Sequence, residues 1–399
     1  MTATGETPAR GAGRSVLLTS SAIHLTNDAC FAILYPLLPF ISRDLGLSYA
    51  EVGLLKASFS GASSVLQIPA GVVGARYGEL LILLLGNAWV GIGMIAMAAT
   101  GSFVLLLLAG LLAGIGGNAQ HPLAAAIVSR TAPRERLATS LGTLNFSGDL
   151  GKLAGPFIAG LVATQFGWRV ALAGVGVFTA LFSLVLLFTT RNQAGEAGGR
   201  PQRGADAEPA TKVPFGRGFR YVLMAGGLDN ATRGAALTFL PFVLADKGFS
   251  AANISVLFGL IFAAGAAGKF GCGWMTGRWG VLVVIIVTET VTAATLVAIL
   301  LGPLWASIPL VVIFGFALNG TSSALNVSVA QLVPPEARAR GYGTYFTAAL
   351  VSSASAPLAY GVLGDAAGLA TVFMVMAVLT VAVIPAILPI RGALGSAPQ

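Results

Sequence analysis

Twelve apolar stretches divide this chain, at roughly 15–42, 51–75, 80–100, 103–129, 137–163, 169–190, 219–245, 251–276, 281–302, 307–330, 342–364 and 369–390. A bilayer's hydrocarbon core takes about 20 residues of helix. Stretches of this length, separated by charge and turn residues, therefore predict an all-α integral membrane protein with twelve transmembrane helices. Composition agrees: the sequence is 56% hydrophobic and 10% charged, with a mean hydropathy of +0.84, where soluble domains carry about 25% charged residues. The 52 glycines suit helices that pack closely in lipid, where small residues let backbones approach.

The formal net charge of +8 does not imply a nucleic-acid partner, because cytoplasmic loops of membrane proteins collect Lys and Arg. With the N-terminus inside, sixteen of the 23 basic residues fall on the cytoplasmic side, against Arg43, Arg169 and Lys247 opposite. Both termini are accordingly expected in the cytoplasm of a cell whose plasma (inner) membrane holds the chain. The first stretch is too long and too polar at its centre for a cleavable signal, and no small-residue cleavage site follows it. Residues 191–218, rich in Gly, Ala and charge, read as a cytoplasmic loop between two bundles. The expected organisation is a tail (1–14), a six-helix bundle (15–190), this loop (191–218), a second six-helix bundle (219–390) and a tail (391–399).

The halves repeat. Asn27-Asp28 falls on Asp229-Asn230, an offset of 202 kept by Pro39 and Pro241, Gly46 and Gly248, and Ser48 and Ser250. Gly71-Val-Val-Gly-Ala-Arg76-Tyr-Gly78 falls on Gly273-Trp-Met-Thr-Gly-Arg278-Trp-Gly280 at the same offset, and Pro156 falls on Pro357 at 201. Each half begins and ends on the same side, so the repeats run parallel, with a binding cavity expected between them. The glycines of the 71–78 and 273–280 segments are read as tight turns, and Arg76 and Arg278 as partners of helix C-terminal carbonyls or lipid phosphates. Ser48 followed by Glu51 has the capping-box pattern.

Two six-helix repeats, a long central loop and a Gly-x4-Arg-x-Gly turn after the second stretch of each half resemble the major facilitator superfamily. That resemblance implies its fold, with Gly71, Arg76, Gly78, Gly273, Arg278 and Gly280 as gating-loop residues. The family carries an acid before the arginine, where this chain has Ala75 and Gly277. His24-x-x-Asn27-Asp28 together with Gly114-Ile-Gly-Gly-Asn118-Ala-Gln120-His121-Pro122 is similar to the fosmidomycin-resistance branch of drug exporters. Gly148-Asp-Leu-Gly-Lys152-Leu-Ala-Gly-Pro156 resembles the Gly-Pro motif of proton-coupled antiporters.

Ionisable groups at membrane depth cost a few kcal/mol and are functional candidates by default. Asp28, Asp149, Asp229 and Glu289 are the acids within the apolar stretches. A proton-coupled carrier needs a carboxylate whose burial moves its titration toward the working pH. Asp28 with His24 one turn away is the leading proton site, although a polar pair also serves to pin neighbouring helices. Asp149 with Lys152, and Asp229 with Arg233, have intrahelical ion-pair spacing. Glu289 either faces a helix seam or relays a proton. Lys152 and Arg233 are candidates for an anionic substrate group, and the Arg fork suits a carboxylate or phosphonate. Asn27, Asn118, Gln120, His121, Asn145 and Asn319, with Asn326, either join helices or line a polar cavity. Lys56 and Lys269 lie within reach of helix ends and are expected to snorkel.

Cys30 and Cys272 read as buried small hydrophobes. No metal site, cofactor, nucleotide loop or nucleophile-base-acid set is evident, so an enzyme is not expected. The sequence thus points to a monomeric carrier in the lipid bilayer that exports a small anionic or zwitterionic compound, such as an antibiotic, against protons. Import of a small organic anion is the alternative.

Overall fold

The computed structural model of the protein describes residues 7–65, 73–74, 76–117, 120–197, 215–334 and 337–394. Every regular element among them is helical: α1 (Thr7–Leu45), α2 (Tyr49–Val65), α3 (Glu79–Ala98), α4 (Phe103–Gly116), α5 (Gln120–Thr131), α6 (Leu137–Ala197), α7 (Arg217–Asp246), α8 (Ala251–Trp279), α9 (Val281–Leu301), α10 (Ser307–Leu332), α11 (Arg338–Val381) and the short α12 (Val383–Ile387), with 3₁₀ turns and a last helical turn besides. Among the described residues, seven segments are long and apolar enough by themselves to cross a bilayer. Two of these, Thr139–Thr190 and Arg340–Ile390, have 52 and 51 residues, about twice what one crossing takes.

Backbone handedness explains the doubling. Gly167 inside α6 (φ 84°) and Gly368 inside α11 (φ 80°) leave the helical region. A left-handed residue stops the i to i−4 ladder there, and glycine adopts it without a Cβ penalty. The same device marks four other junctions, with Gly46 (φ 64°) after α1, Gly78 (φ 104°) before α3, Gly248 (φ 95°) after α7 and Gly280 (φ 87°) between α8 and α9. Leu47 N–H donates to Ser42 O (2.9 Å) and Phe249 N–H to Leu244 O (3.1 Å), the wrap that closes a helix on a left-handed residue.

Two turn readings need correction. Helix α8 continues through Trp279, so Gly273 and Gly277 are helical and only Gly280 makes the turn. In the first half Gly78 makes it, while Gly71 lies outside the described residues. The Arg76 guanidinium covers the Tyr77 ring at 5.4 Å, and Arg278 is exposed.

Helix starts follow local chemistry. Ser48 N–H donates to Glu51 Oε2 (2.8 Å) and Glu51 N–H to Ser48 Oγ (3.2 Å), which completes the capping box. The next two N–H groups of α2, on Tyr49 and Ala50, donate to Asp365 Oδ1 (2.7 Å) and Oδ2 (2.9 Å) on α11. A carboxylate far away in sequence thereby satisfies donors that a helix start leaves open.

Chain contacts cluster into two compact units, residues 1–34 with 58–206 and residues 35–57 with 207–399. The end of α1 and the start of α2 thus belong to the second unit rather than to the half in which they lie by sequence. The first unit has a core of Val16, Ile23, Leu80, Leu84, Ile127 and Leu144. The second centres on Phe219, Val222, Ile285, Leu325, Val329 and Ile387. Large apolar side chains including Phe166, Phe188 and Trp305 remain exposed, as befits surfaces facing lipid tails. Lys56 does not snorkel. It is 3% exposed, with its ammonium 4.1 Å from the centre of the Tyr35 ring in the second unit, an arrangement that cation–π attraction favours.

Candidate functional site

In the first unit, α1 carries His24 and Asp28 one turn apart, with Nε2 3.4 Å from Oδ2 and both side chains buried. Helix α6 reaches this pair because it has no Cβ where it crosses α1. A methyl on Gly151 would lie 2.0 Å from Leu25 O, and one on Gly148 would lie 2.6 Å from Asp28 Oδ2 and 2.7 Å from His24 Nε2. The approach brings Lys152 Nζ to 3.0 Å from Asp28 Oδ2 while it keeps its own-helix partner Asp149 Oδ1 at 3.4 Å. His121, at the start of α5, sets its ring edge-on to His24 with centroids 5.0 Å apart. With neutral imidazoles the group holds two carboxylates and one ammonium, a net charge of −1. Among the described residues, His24 Nδ1 and both ends of the buried Gln120 side chain have no hydrogen-bond partner.

Ligand atoms of His24, Asp28 and His121 lie within 4.8 Å of one another. A divalent ion nevertheless fits poorly. Tetrahedral coordination at about 2.1 Å needs a tighter set, and the Lys152 ammonium already occupies the approach to Asp28 Oδ2.

A second layer of polar contacts lies behind α1. Asn87 of α3 is 1% exposed and joins Asn27, Thr26 and Ser183 through its side-chain amide. Cys30, also buried, touches Thr179 Oγ1 at 3.3 Å.

The second unit has its own ionic group. Arg233 Nη2 lies 3.4 Å from Asp229 Oδ2 and donates to Leu318 O (2.8 Å), while Nη1 donates to Asn319 Oδ1 (3.3 Å). Glu289 on α9 is 1% exposed, and its Oε1 has no hydrogen-bond partner among the described residues. Thr321 and Thr288 bond each other beside it (2.8 Å). The repeat mate of His24 is Gly226, and the Tyr345 ring fills that space, 2.4 Å from where a Cβ would stand.

The structure thus gathers His24, Asp28, His121, Asp149 and Lys152 in one cluster, and Asp229, Arg233, Glu289 and Asn319 in another. Asn27 faces Asn87. Asn145 is exposed on α6, and Asn326 keeps a buried, unpartnered Oδ1. Asn118 lies outside the described residues. Sequence reasoning missed Asn87, although an amide within an apolar stretch was a visible signal. Gly148 was read only as part of a motif, and no local pattern marked Thr26, Ser183 or Tyr345.

Helical units that bury ion pairs at membrane depth define a membrane transporter rather than an enzyme. The profile of the Major Facilitator Superfamily matches residues 21–228 and again 222–397, and the chain belongs to that superfamily. It is 26% identical over 333 residues to the fosmidomycin resistance protein of Escherichia coli (strain K12), covering 80% of this chain and 79% of that one. It is 25% identical over 338 residues to the 4-hydroxybenzoate transporter PcaK of Pseudomonas aeruginosa, covering 76% and 75%. Among solved structures, a bacterial homologue of the human lysosomal transporter Spinster, in an inward-facing and occupied conformation, superposes with a TM-score of 0.78 at 18% identity, covering 98% of this chain and 97% of that one.

Proposed function

We propose that the protein is a proton-coupled exporter of a small anionic or zwitterionic compound, working by alternating access, with Asp28 as the coupling carboxylate. The contact of Asp28 with Lys152 at 3.0 Å and His24 at 3.4 Å carries this reading. Ionised Asp28 pairs with Lys152. Protonated Asp28 loses that attraction and releases the ammonium toward Asp149. A substrate donor, such as a hydroxyl, hydroxamate or ammonium group, competes with the proton for the same carboxylate, and competition of this kind gives exchange. His24 is the adjacent base through which the proton enters or leaves.

In the second unit, Arg233 offers its planar fork to an acidic group. Asp229, 3.4 Å from that fork, competes with the acidic group for it. Export is favoured by the relative named for fosmidomycin resistance, and the setting is a bacterial inner membrane with both termini cytoplasmic.

The alternative reading, import of a small organic anion with a proton, draws on the 4-hydroxybenzoate relative and on Lys152: an anion on that ammonium is helped, not hindered, by protonation of Asp28. Flux into proteoliposomes separates the two, with fosmidomycin and 4-hydroxybenzoate as probes. Exchange predicts probe movement opposite to an imposed proton gradient and loss of gradient dependence in Asp28→Asn. Movement with the gradient supports import. Flux that ignores both gradient and variant refutes proton coupling at Asp28.

A further inference from the structure

We propose that Asn87 is a positioning residue for the Asp28 centre: its side-chain amide fixes the rotation of α1 and so holds Asp28 against Lys152. The inference rests on the reading of Asp28 as the coupling carboxylate.

Thr26 Oγ1 donates its one proton back along α1, to Ile23 O (3.0 Å) and Ala22 O (3.2 Å). Ser183 Oγ donates its proton to Thr179 O (2.7 Å). Each hydroxyl has a single proton, so while it makes these bonds it accepts from Asn87. Asn87 Nδ2 meets this requirement by donating to Thr26 Oγ1 (2.8 Å) and Ser183 Oγ (2.9 Å). Both amide hydrogens are then used, and Asn87 Oδ1 accepts from Asn27 Nδ2 (3.3 Å). Turning both amides and both hydroxyl protons together would close the same four side chains in the opposite sense, so in either arrangement Asn87 ties Thr26, Asn27 and Ser183 together.

All four side chains are buried, Thr26 at 4%, Asn27 at 3%, Asn87 at 1% and Ser183 at 1% exposed. Water cannot replace a bond lost here, so a broken network is costly. Thr26 and Asn27 lie between His24 and Asp28 on the same stretch of α1. Turning α1 far enough to move Asp28 away from Lys152 would pull Thr26 and Asn27 off Asn87. That turn would re-sort His24 on α1, His121 on α5, and Asp149 and Lys152 on α6 around Asp28, with the Cys30 thiol beyond it. Asn87 makes its hydrogen bonds to Thr26 and Asn27 of α1 and to Ser183 farther along α6, and it reaches Asp28 through α1.

The experiment is an infrared pH titration of the full-length protein in lipid vesicles, following the carbonyl stretch of the protonated carboxyl that Asp28→Asn removes. Asn87→Leu frees α1, lengthens the Lys152 contact and raises proton affinity at Asp28 about tenfold, moving the midpoint up by about one pH unit. Thr26→Val and Ser183→Ala each remove one acceptor and move it in the same direction by less; they carry the test if Asn87→Leu does not fold. Cys30→Ala, which alters packing beside the network, lowers thermal stability with no shift.

Lower stability in Asn87→Leu, Thr26→Val and Ser183→Ala with an unmoved midpoint would make the network merely structural and overturn the proposal. A wild type with no band that Asp28→Asn removes overturns the underlying reading of Asp28, and does so without any change at Asn87.

Discussion

Gly148→Ala is the smallest change that enters the Asp28 centre. The added methyl would stand 2.6 Å from Asp28 Oδ2 and 2.7 Å from His24 Nε2, where ordinary contact begins at 3.4 Å. Either side chain, or α6 as a whole, must yield by about 0.8 Å, and overpacking of this kind costs about 1–3 kcal/mol. If α6 retreats, Lys152 retreats with it. The 3.0 Å contact with Asp28 then lengthens to about 3.8 Å, which at an effective dielectric near 20 gives up about 1 kcal/mol of attraction. The partial exposure of Lys152 reduces that figure further. The assay pairs thermal unfolding of the purified protein with gradient-driven flux. Gly142→Ala serves as control, being on the same helix with nothing within 4 Å of the added atom. The control is expected to be neutral or stabilising by up to about 1 kcal/mol. Gly148→Ala is expected to lower Tm by about 2–10 °C and to weaken coupling. Equal behaviour of the two variants in stability and coupling would refute the close approach of α6 to the His24–Asp28 pair.

Arg233→Met leaves Asp229 and Glu289 without their cation, a loss of about 3–5 kcal/mol, and Arg233→Met/Asp229→Asn is expected to recover much of it in thermal melts. Asp365→Ala uncovers the Tyr49 and Ala50 N–H groups and is expected to cost about 1 kcal/mol as a lost helix cap, with Asp365→Asn intermediate in the same melts. Burial, with Asp246 and Asp365 nearby, pushes the Tyr49 hydroxyl above its ordinary value of 10.0. The folded state therefore holds that proton longer than the unfolded state, and its contribution to stability is complete below pH 10 and falls away as pH rises beyond it. Tyr49→Phe should flatten this alkaline limb in a pH series of melts.

What was legible in the sequence is what depends on neighbours along the chain. The Ser48–Glu51 box, the Asp149–Lys152 and Asp229–Arg233 spacings and the left-handed turns at Gly78 and Gly280 each need only a few adjacent residues. Gly273 shows the limit, because a repeated Gly-x4-Arg-x-Gly pattern says where a turn lies but not which glycine makes it. The contact of Lys152 with Asp28 was not legible, since it exists only after α6 crosses α1 at Gly148 and Gly151. Lys56 was misread for the opposite reason: its distance from a helix end is visible in sequence, while the Tyr35 ring that covers it is not. Glu289 looks isolated in its stretch, since the Thr321 hydroxyl that bonds Thr288 beside it comes from another helix, α10.

The six left-handed glycines form three pairs, Gly46 with Gly248, Gly78 with Gly280 and Gly167 with Gly368. They act as register marks on a duplicated chain, keeping the same places while the side chains between them diverge as far as His24 and Gly226. That makes them natural splice points. A hybrid that swaps one half's segment for the other's at paired glycines preserves every turn's handedness and each helix's length to within one residue. A junction placed mid-helix would rotate each following side chain by about 100° for every residue of mismatch.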